Sequence, residues 1–129
     1  MLSSNDVITN SFKKLRIFEF SDAANYVQNL SYKRNQDKEN PIVVLVENGG
    51  TCSTKHALLK RLATENSKDD LSLMIGVFSM NEENTPKISP ILRKFGIAEI
   101  PEAHCYLKYN EEYLDFTRKN SKSNDFSLI

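Results

Sequence analysis

The sequence predicts an α+β protein in which helices pack on a small antiparallel sheet. Three observations lead to this prediction. Residues 51–65 carry apolar side chains at helical spacing. The run LSLMIGVFSM, residues 71–80, is short, apolar and bounded by polar segments, which is typical of a central strand. Residues 103–117 have the pattern of a hairpin whose turn lies near Asn110 and Glu111.

Shorter segments complete the predicted fold. Residues 21–32 are predicted to form a helix capped by Ser21, after a weaker helical pattern in VITNSFKKLRIF. The segment ILRKFGI predicts a short helix that ends at Gly96. The run PIVVLVENGG is ambiguous, because its β-branched residues favour a buried strand while its first proline suits a helical turn.

Length and charge limit the possible functions. The chain has 129 residues, of which 40% are apolar, and we predict one domain over residues 1–118 followed by a polar tail over 119–129. Because 17 basic residues balance 17 acidic ones, nucleic acid and membrane surfaces are not expected as partners. The first residues lack a signal-peptide pattern, and no run of about 18 apolar residues occurs. We therefore expect a cytoplasmic protein, and its oligomeric state stays open.

Cys52 occupies an unusual position for a thiol. It follows Gly49, Gly50 and Thr51 and begins a predicted helix, where backbone N–H groups and the helix dipole lower the pKa of a thiol. The same N–H groups are suited to stabilise an oxyanion. The glycines are expected to let a substrate approach the sulfur closely. Cys52 and Cys105 are both expected to be free thiols in a reducing compartment.

The hairpin register decides which residues meet Cys52. A loop of two or four residues at the predicted turn places Tyr106 opposite Asp115 and His104 opposite Thr117. His104 and Asp115 are then diagonal neighbours on one face, roughly 7 Å apart at the backbone, whereas Cys105 faces the other way. An odd-length loop would separate them, so the prediction depends on register. A histidine held by a carboxylate beside a thiol is the arrangement used for nucleophilic catalysis.

These residues together resemble the transglutaminase-like branch of the papain-like cysteine enzymes, over about residues 23–117. GTCSTKHALLKRL is similar to the helix that carries the nucleophile, and EAHCYLKYNEEYLDFT is similar to the two strands that carry His and Asp. ANYVQNLSYKRN and PIVVLVENGGTC resemble the preceding helix and its connector. Because that connector is usually helical in the family, the resemblance favours a helical turn over residues 42–46.

The resemblance implies thiol-dependent acyl chemistry, that is, hydrolysis or transfer at an amide or ester carbonyl. Its catalytic residues would be Cys52, His104 and Asp115: Cys52 attacks, His104 moves the proton and Asp115 orients the imidazole. No cofactor is required, and the substrate class is a peptide, a protein or a small amide or ester.

Five further residues are candidates for oxyanion stabilisation or substrate binding: Asn48, Gln28, Gly50, Tyr106 and His56. The side chains of Asn48 and Gln28 are candidates for a second oxyanion donor. Tyr106 shares the predicted catalytic face and is a candidate for lining a cleft. His56 lies one turn beyond Cys52, where the family usually has a small residue, and is positioned to act as an alternative base.

Two other function classes stay open. The chain is also consistent with a non-enzymatic module that binds a peptide or partner on the same fold. The second class is a metal-binding protein that uses His56, but adjacent His104 and Cys105 project to opposite faces of a strand and no finger-type spacing occurs. No metal ligand is therefore assigned.

Overall fold

The computed structural model describes residues 1–81, 83 and 86–118. The predicted polar tail, residues 119–129, lies outside the described residues. The described chain is mixed α and β, and its helices accompany a small antiparallel sheet, as predicted. The five α-helices found in these ranges are α1 Val7–Lys14, α2 Phe20–Gln28, α3 Val43–Glu47, α4 Cys52–Glu65 and α5 Ser89–Phe95. None of the helices described here has the length and apolar content needed to cross a membrane.

Two sheets position the helices. Strands β1 Ser31–Tyr32 and β2 Gly49–Gly50 form a short parallel pair. Strands β3 Leu71–Met80, β4 Ile100–Tyr109 and β5 Glu112–Leu114 form an antiparallel sheet in that order. A 3-10 helix, Pro86–Ile88, and α5 lie between β3 and β4. The prediction that β3 is central is wrong, since within the described chain β4 is the middle strand and Ile75 of β3 is 70% exposed.

Helix α4 forms the centre of the core. Its apolar stripe of Leu58, Leu59, Leu62 and Ala63 is fully buried, as its helical spacing predicts. Helices α1 and α2 and strand β4 pack against it, and Leu107 of β4 is likewise fully buried. Burial of apolar surface therefore fixes α4 against the middle strand of the sheet.

Most of the predicted elements occur, with one clear exception. Residues 43–47 are helical, as the resemblance favours, and Gly96, with φ of 64°, follows α5. The helix predicted over residues 21–32 instead begins at Phe20 and ends at Gln28. Ser21 lies within its first turn and does not cap it, because the chain enters the helix from Glu19. Ser31 and Tyr32 leave the helix to pair with the two glycines of β2.

The hairpin register agrees with the sequence prediction. Leu107 pairs with Leu114, and a two-residue turn begins at Asn110, whose φ of 54° lies in the left-handed region that asparagine tolerates. Paired residues share a face, so this register directs His104 and Asp115 to the same side. Asp115 itself follows directly after the end of β5.

Candidate active site

The first turn of α4 is held by a reciprocal pair of hydrogen bonds. The Thr54 N–H donates to Thr51 Oγ1 over 3.3 Å, and the Thr51 N–H donates to Thr54 Oγ1 over 2.8 Å. This capping box fixes the backbone on both sides of Cys52. Cys52 is the first residue of the helix, so its sulfur lies at the positive end of the helix dipole, as predicted.

Asn35 ties the preceding loop to this helix end. Its Oδ1 accepts a hydrogen bond from the Thr54 hydroxyl over 2.6 Å, and its Nδ2 donates to the Glu47 carboxylate and to the Gly49 carbonyl. The loop, the end of α3, strand β2 and the start of α4 are therefore joined through one side chain. Sequence reasoning missed Asn35, because nothing in the charged run KRNQDKEN distinguishes it.

The two glycines before the cysteine are required by packing. A Cβ on Gly50 would lie 2.6 Å from Thr54 Oγ1, and a Cβ on Gly49 would lie 2.7 Å from the Ser31 carbonyl oxygen. The interpretation that Gly50 leaves room for a substrate is therefore wrong, since the chain itself fills that space. Both residues are buried, and they let the β1 and β2 backbones approach the capping box.

His104 and Asp115 form a direct hydrogen bond. His104 Nε2 donates to Asp115 Oδ2 over 3.0 Å, and the histidine side chain is 18% exposed. The other carboxylate oxygen accepts hydrogen bonds from the Thr117 N–H and the Thr117 hydroxyl, at 3.0 and 2.6 Å. Burial alone would raise the pKa of Asp115, but these hydrogen bonds outweigh it and hold the pKa below its ordinary value. Asp115 is therefore a fixed, ionised partner for the imidazole.

The Cys52 thiol is hydrogen-bonded to His104. Since Asp115 takes Nε2, the nitrogen left for the thiol is Nδ1. Burial raises the pKa of Cys52, but hydrogen bonds from His104 and Cys105 and the positive charge of His104 lower it below its ordinary value. The pKa of His104 is raised to about 9, first by Asp115 and then by Cys52. The two shifts have one physical cause, because a thiolate and an imidazolium stabilise each other through the hydrogen bond and their opposite charges.

Cys105 also contacts Cys52, which corrects the prediction that it faces away. Its backbone N–H and its thiol both bond to the Cys52 sulfur. Of the β4 residues that pair with β5, Leu107 is the farthest from the turn, so β5 does not pair with the β4 backbone at Cys105. The Cys105 N–H contacts the Cys52 sulfur there. Side-chain alternation predicts that His104 and Cys105 point to opposite faces of the sheet. Because the Cys52 sulfur lies against the backbone of the strand, it contacts both residues. Burial, and then the charge of Cys52, raise the pKa of Cys105 to about 11.

His56 connects the Cys52 backbone to the segment after Asp115. Its ring Nδ1 donates to the Cys52 carbonyl over 2.7 Å, and its Nε2 accepts from the Phe116 N–H over 2.9 Å. The side chain is fully buried, and burial lowers the pKa of His56 to about 4. The prediction of an alternative base is therefore wrong, because both ring nitrogens are already hydrogen-bonded within the chain.

Lys55 makes a second connection that the sequence did not reveal. This lysine is fully buried, and its Nζ donates to the Leu30 carbonyl over 2.7 Å and the Thr117 carbonyl over 2.8 Å. Burial, and then the charge of Arg118, lower its pKa to about 8. Lys55 therefore joins the end of α2, α4 and the residues after β5.

The remaining candidate residues are Tyr106, Gln28 and Asn48. Tyr106 is 3% exposed and packs edge-on against Tyr113, with ring centroids 5.4 Å apart, so the prediction that it lines a cleft is wrong. Gln28 Nε2 donates to the Arg118 carbonyl over 3.1 Å. Asn48 is exposed, and its φ of 57° ends α3 and turns the chain into β2. A role of Gln28 or Asn48 as an oxyanion donor stays a prediction.

A cleft opens beside the helix end that carries Cys52. Its volume is about 470 Å³, and Thr51 and Ser53, the two neighbours of the cysteine, form part of its wall. The other residues that line it are Arg34, Asn35, Gln36, Lys38 and Thr54. Across the described residues, no group of three or more His, Cys, Asp or Glu side chains is arranged to hold a metal ion.

Comparisons of the chain with protein-family models, with curated proteins and with solved structures find no match. The function is therefore inferred from the chemistry of the site.

Proposed function

We propose that this protein performs thiol-dependent acyl chemistry, with Cys52 as nucleophile, His104 as general acid and base, and Asp115 as the group that orients the imidazole. One observation carries the proposal: a continuous series of hydrogen bonds links the Cys52 thiol to His104 and His104 to Asp115. The three residues come from a helix start, a strand and the end of a hairpin, in the order that transglutaminase-like enzymes use.

The first half of the reaction forms a covalent thioester. The Cys52 thiolate attacks the carbonyl carbon of an amide or ester, and N–H groups in the first turn of α4 are suited to stabilise the oxyanion. The protonated His104 then donates its Nδ1 proton to the leaving amine or alcohol. Loss of the leaving group re-forms the carbonyl as a thioester on Cys52.

The second half releases the acyl group. A water molecule or an amine attacks the thioester carbon while neutral His104 removes the attacking group's proton. Collapse of the intermediate expels the Cys52 thiolate and restores its pair with the imidazolium. Asp115 keeps Nε2 protonated in both halves, so that Nδ1 always faces the reacting atoms.

The decisive experiment measures the rate of Cys52 alkylation by iodoacetamide as a function of pH. An ordinary thiol reacts with a midpoint of about 8.5, whereas a thiolate paired with imidazolium keeps reacting well below neutrality. We expect a low midpoint in the native protein and a return toward the ordinary value in His104→Ala. A midpoint near 8.5 in both proteins would contradict the proposed enzymatic activity and would favour a binding module on the same fold.

Two matched variants make the alkylation experiment specific. Cys105→Ser removes the other thiol, so the remaining signal belongs to Cys52. Cys52→Ala gives the background from Cys105, which is expected to be small near neutral pH because burial, the largest cause of its raised pKa, remains in that variant. Circular dichroism of each variant shows that the fold is intact.

A substrate screen then tests turnover directly. Activated esters, and glutamine-containing peptides with or without a primary amine, separate hydrolysis from transfer by their products. We expect Cys52→Ala to abolish turnover of any substrate found, whereas Cys105→Ala retains it. Turnover that persists in Cys52→Ala would show that the assigned nucleophile is wrong.

A further inference from the structure

The only two cysteines of the chain lie together at the candidate site. Cys105 follows His104 directly on β4, opposite Ile75 of β3, and both its N–H and its thiol contact the Cys52 sulfur. Both cysteines are half-buried, so a small solute has access to them. The proposed acyl chemistry gives Cys105 no role, and its contact with the nucleophile therefore needs a separate account.

We propose that Cys52 and Cys105 form a peroxide-sensitive pair, which hydrogen peroxide converts into an intramolecular disulfide. Cys52 is the thiol that reacts first, and Cys105 is the thiol that resolves the product.

The first step oxidises Cys52. Its thiolate attacks one oxygen of hydrogen peroxide, so that an S–O bond forms and the O–O bond breaks. The departing hydroxide takes a proton, which the neighbouring His104 imidazolium is placed to supply, and leaves as water. Cys52 is now a sulfenic acid, and the peroxide has accepted two electrons.

The second step closes the disulfide. The Cys105 sulfur attacks the Cys52 sulfur, an S–S bond forms, and the S–O bond breaks. The hydroxide that leaves takes the Cys105 proton and departs as water, so two thiols and one peroxide give one disulfide and two waters. Oxidation of Cys52 also removes its negative charge, which is one of the causes that raise the pKa of Cys105, after burial. The first step therefore makes Cys105 a better nucleophile.

The geometry of the pair suits this bond. The Cys105 N–H and the Cys105 thiol both contact the Cys52 sulfur, so the two sulfur atoms that the bond would join are already neighbours. Without a resolving thiol, a sulfenic acid is oxidised further to an irreversible sulfinic acid. Cys105 therefore protects Cys52, and reduction returns it as a free thiol.

The disulfide also removes the nucleophile from the proposed acyl chemistry. This consequence rests on the proposed function, but formation of the disulfide does not.

The test exposes reduced protein to a modest excess of hydrogen peroxide, stops the reaction with catalase, and labels remaining thiols with N-ethylmaleimide in denaturant. Intact-mass spectrometry should show a monomer that carries no maleimide, and dithiothreitol should restore two labelled thiols. In Cys105→Ser we expect Cys52 to gain oxygen instead. In Cys52→Ser we expect Cys105 to remain a labelled thiol under the same conditions.

Two outcomes would overturn the pair. In the first, the native protein gains oxygen on Cys52 as Cys105→Ser does, which would show that Cys105 does not resolve the oxidised sulfur. In the second, oxidation yields only disulfide-linked dimers. Should Cys105→Ser lose its circular dichroism signal, Cys105→Ala replaces it in the same comparison.

Failure of this proposal is distinguishable from failure of the proposed function. An ordinary alkylation midpoint for Cys52 would end the acyl-chemistry proposal, whether or not a disulfide forms. A low midpoint without an intramolecular disulfide would end the present proposal alone.

Discussion

The two histidines of the chain lie beside the same carboxylate, yet their surroundings give them opposite protonation states. His104 Nε2 is 3.0 Å from Asp115 Oδ2, and its pKa is raised to about 9. His56 Nε2 is 3.8 Å from Asp115 Oδ1, and burial lowers its pKa to about 4. The second imidazole uses its Nε2 lone pair to accept the Phe116 N–H, so it has no proton to offer the carboxylate. Proximity to an acid therefore does not decide the charge of a histidine; burial and hydrogen-bond direction do.

The comparison assigns different tasks to the two residues. His56 is a neutral link in the core that holds the Cys52 backbone against the segment after Asp115. His104 is partly exposed, and it is charged when the thiol is ionised. Variants at the two positions should therefore change different observables.

The largest expected effect is on stability, from His56→Phe. The phenyl ring fills a similar volume but leaves the Phe116 N–H without its acceptor and removes the ring's hydrogen bond to the Cys52 carbonyl, which should lower the free energy of unfolding by roughly 3 kcal/mol. Urea titration measures this, with His104→Phe as the matched control, for which a smaller loss is expected because its site is partly exposed. Equal losses in the two variants would contradict the assigned roles.

The second expected effect is a loss of stability in mild acid that depends on His56. Its folded-state pKa of about 4 lies below its ordinary value, so the unfolded chain binds a proton first as the pH falls. The stabilisation is fully present above pH 6.5 and should decline by roughly 2 kcal/mol as the pH falls toward 4.5. His56→Asn, which does not titrate, should reduce this slope in urea titrations at a series of pH values. If the free energy of unfolding depends on pH equally in the native protein and in His56→Asn, the acid sensitivity comes from other titrating groups.

The third effect concerns reactivity, and Asp115→Asn tests it. The amide cannot balance an imidazolium, so the pKa of His104 should fall from about 9, and alkylation of Cys52 at pH 6 should slow by about tenfold. NMR titration of the His104 ring measures the first change, and iodoacetamide kinetics measure the second. Asp22→Asn, at an exposed position on α2, is the control and should leave both unchanged. A His104 titration that is insensitive to Asp115 would disconnect the two residues.

The smallest expected effect is a nearly flat stability profile between pH 7 and 9. A raised pKa of His104 stabilises the fold below its ordinary value and loses that contribution as the pH rises toward about 9. The lowered pKa of Cys52 works in the opposite direction, because the folded thiol releases its proton before the unfolded one. Cys52→Ala removes the contribution of the thiol, so the free energy of unfolding of this variant should decline as the pH rises from 7 to 9. If native protein and variant have the same profile, the thiol and the imidazole are not coupled.

Sequence reasoning predicted the parts of the site that depend on local pattern. Helical spacing located α4 and its thiol, and the two-residue turn at Asn110 fixed the register that brings His104 toward Asp115. It failed where distant segments meet. The contact of Cys105 with Cys52, the burial of Lys55 and the packing around Gly50 all depend on how the start of α4 packs against other segments. The side-chain pattern of a single segment carries no information about how that segment packs against distant ones.

The separation of the site along the chain has a consequence for folding. The proposed nucleophile is on α4, whereas its proposed partners, His104 and Asp115, are on a hairpin far along the chain. Contacts between such distant segments form late, because the intervening chain must first be ordered. During synthesis Cys52 should therefore behave as an ordinary, slow thiol until the hairpin docks. The alkylation rate of Cys52 should then report whether folding is complete. In an incomplete chain the thiol lacks the residues that would activate it.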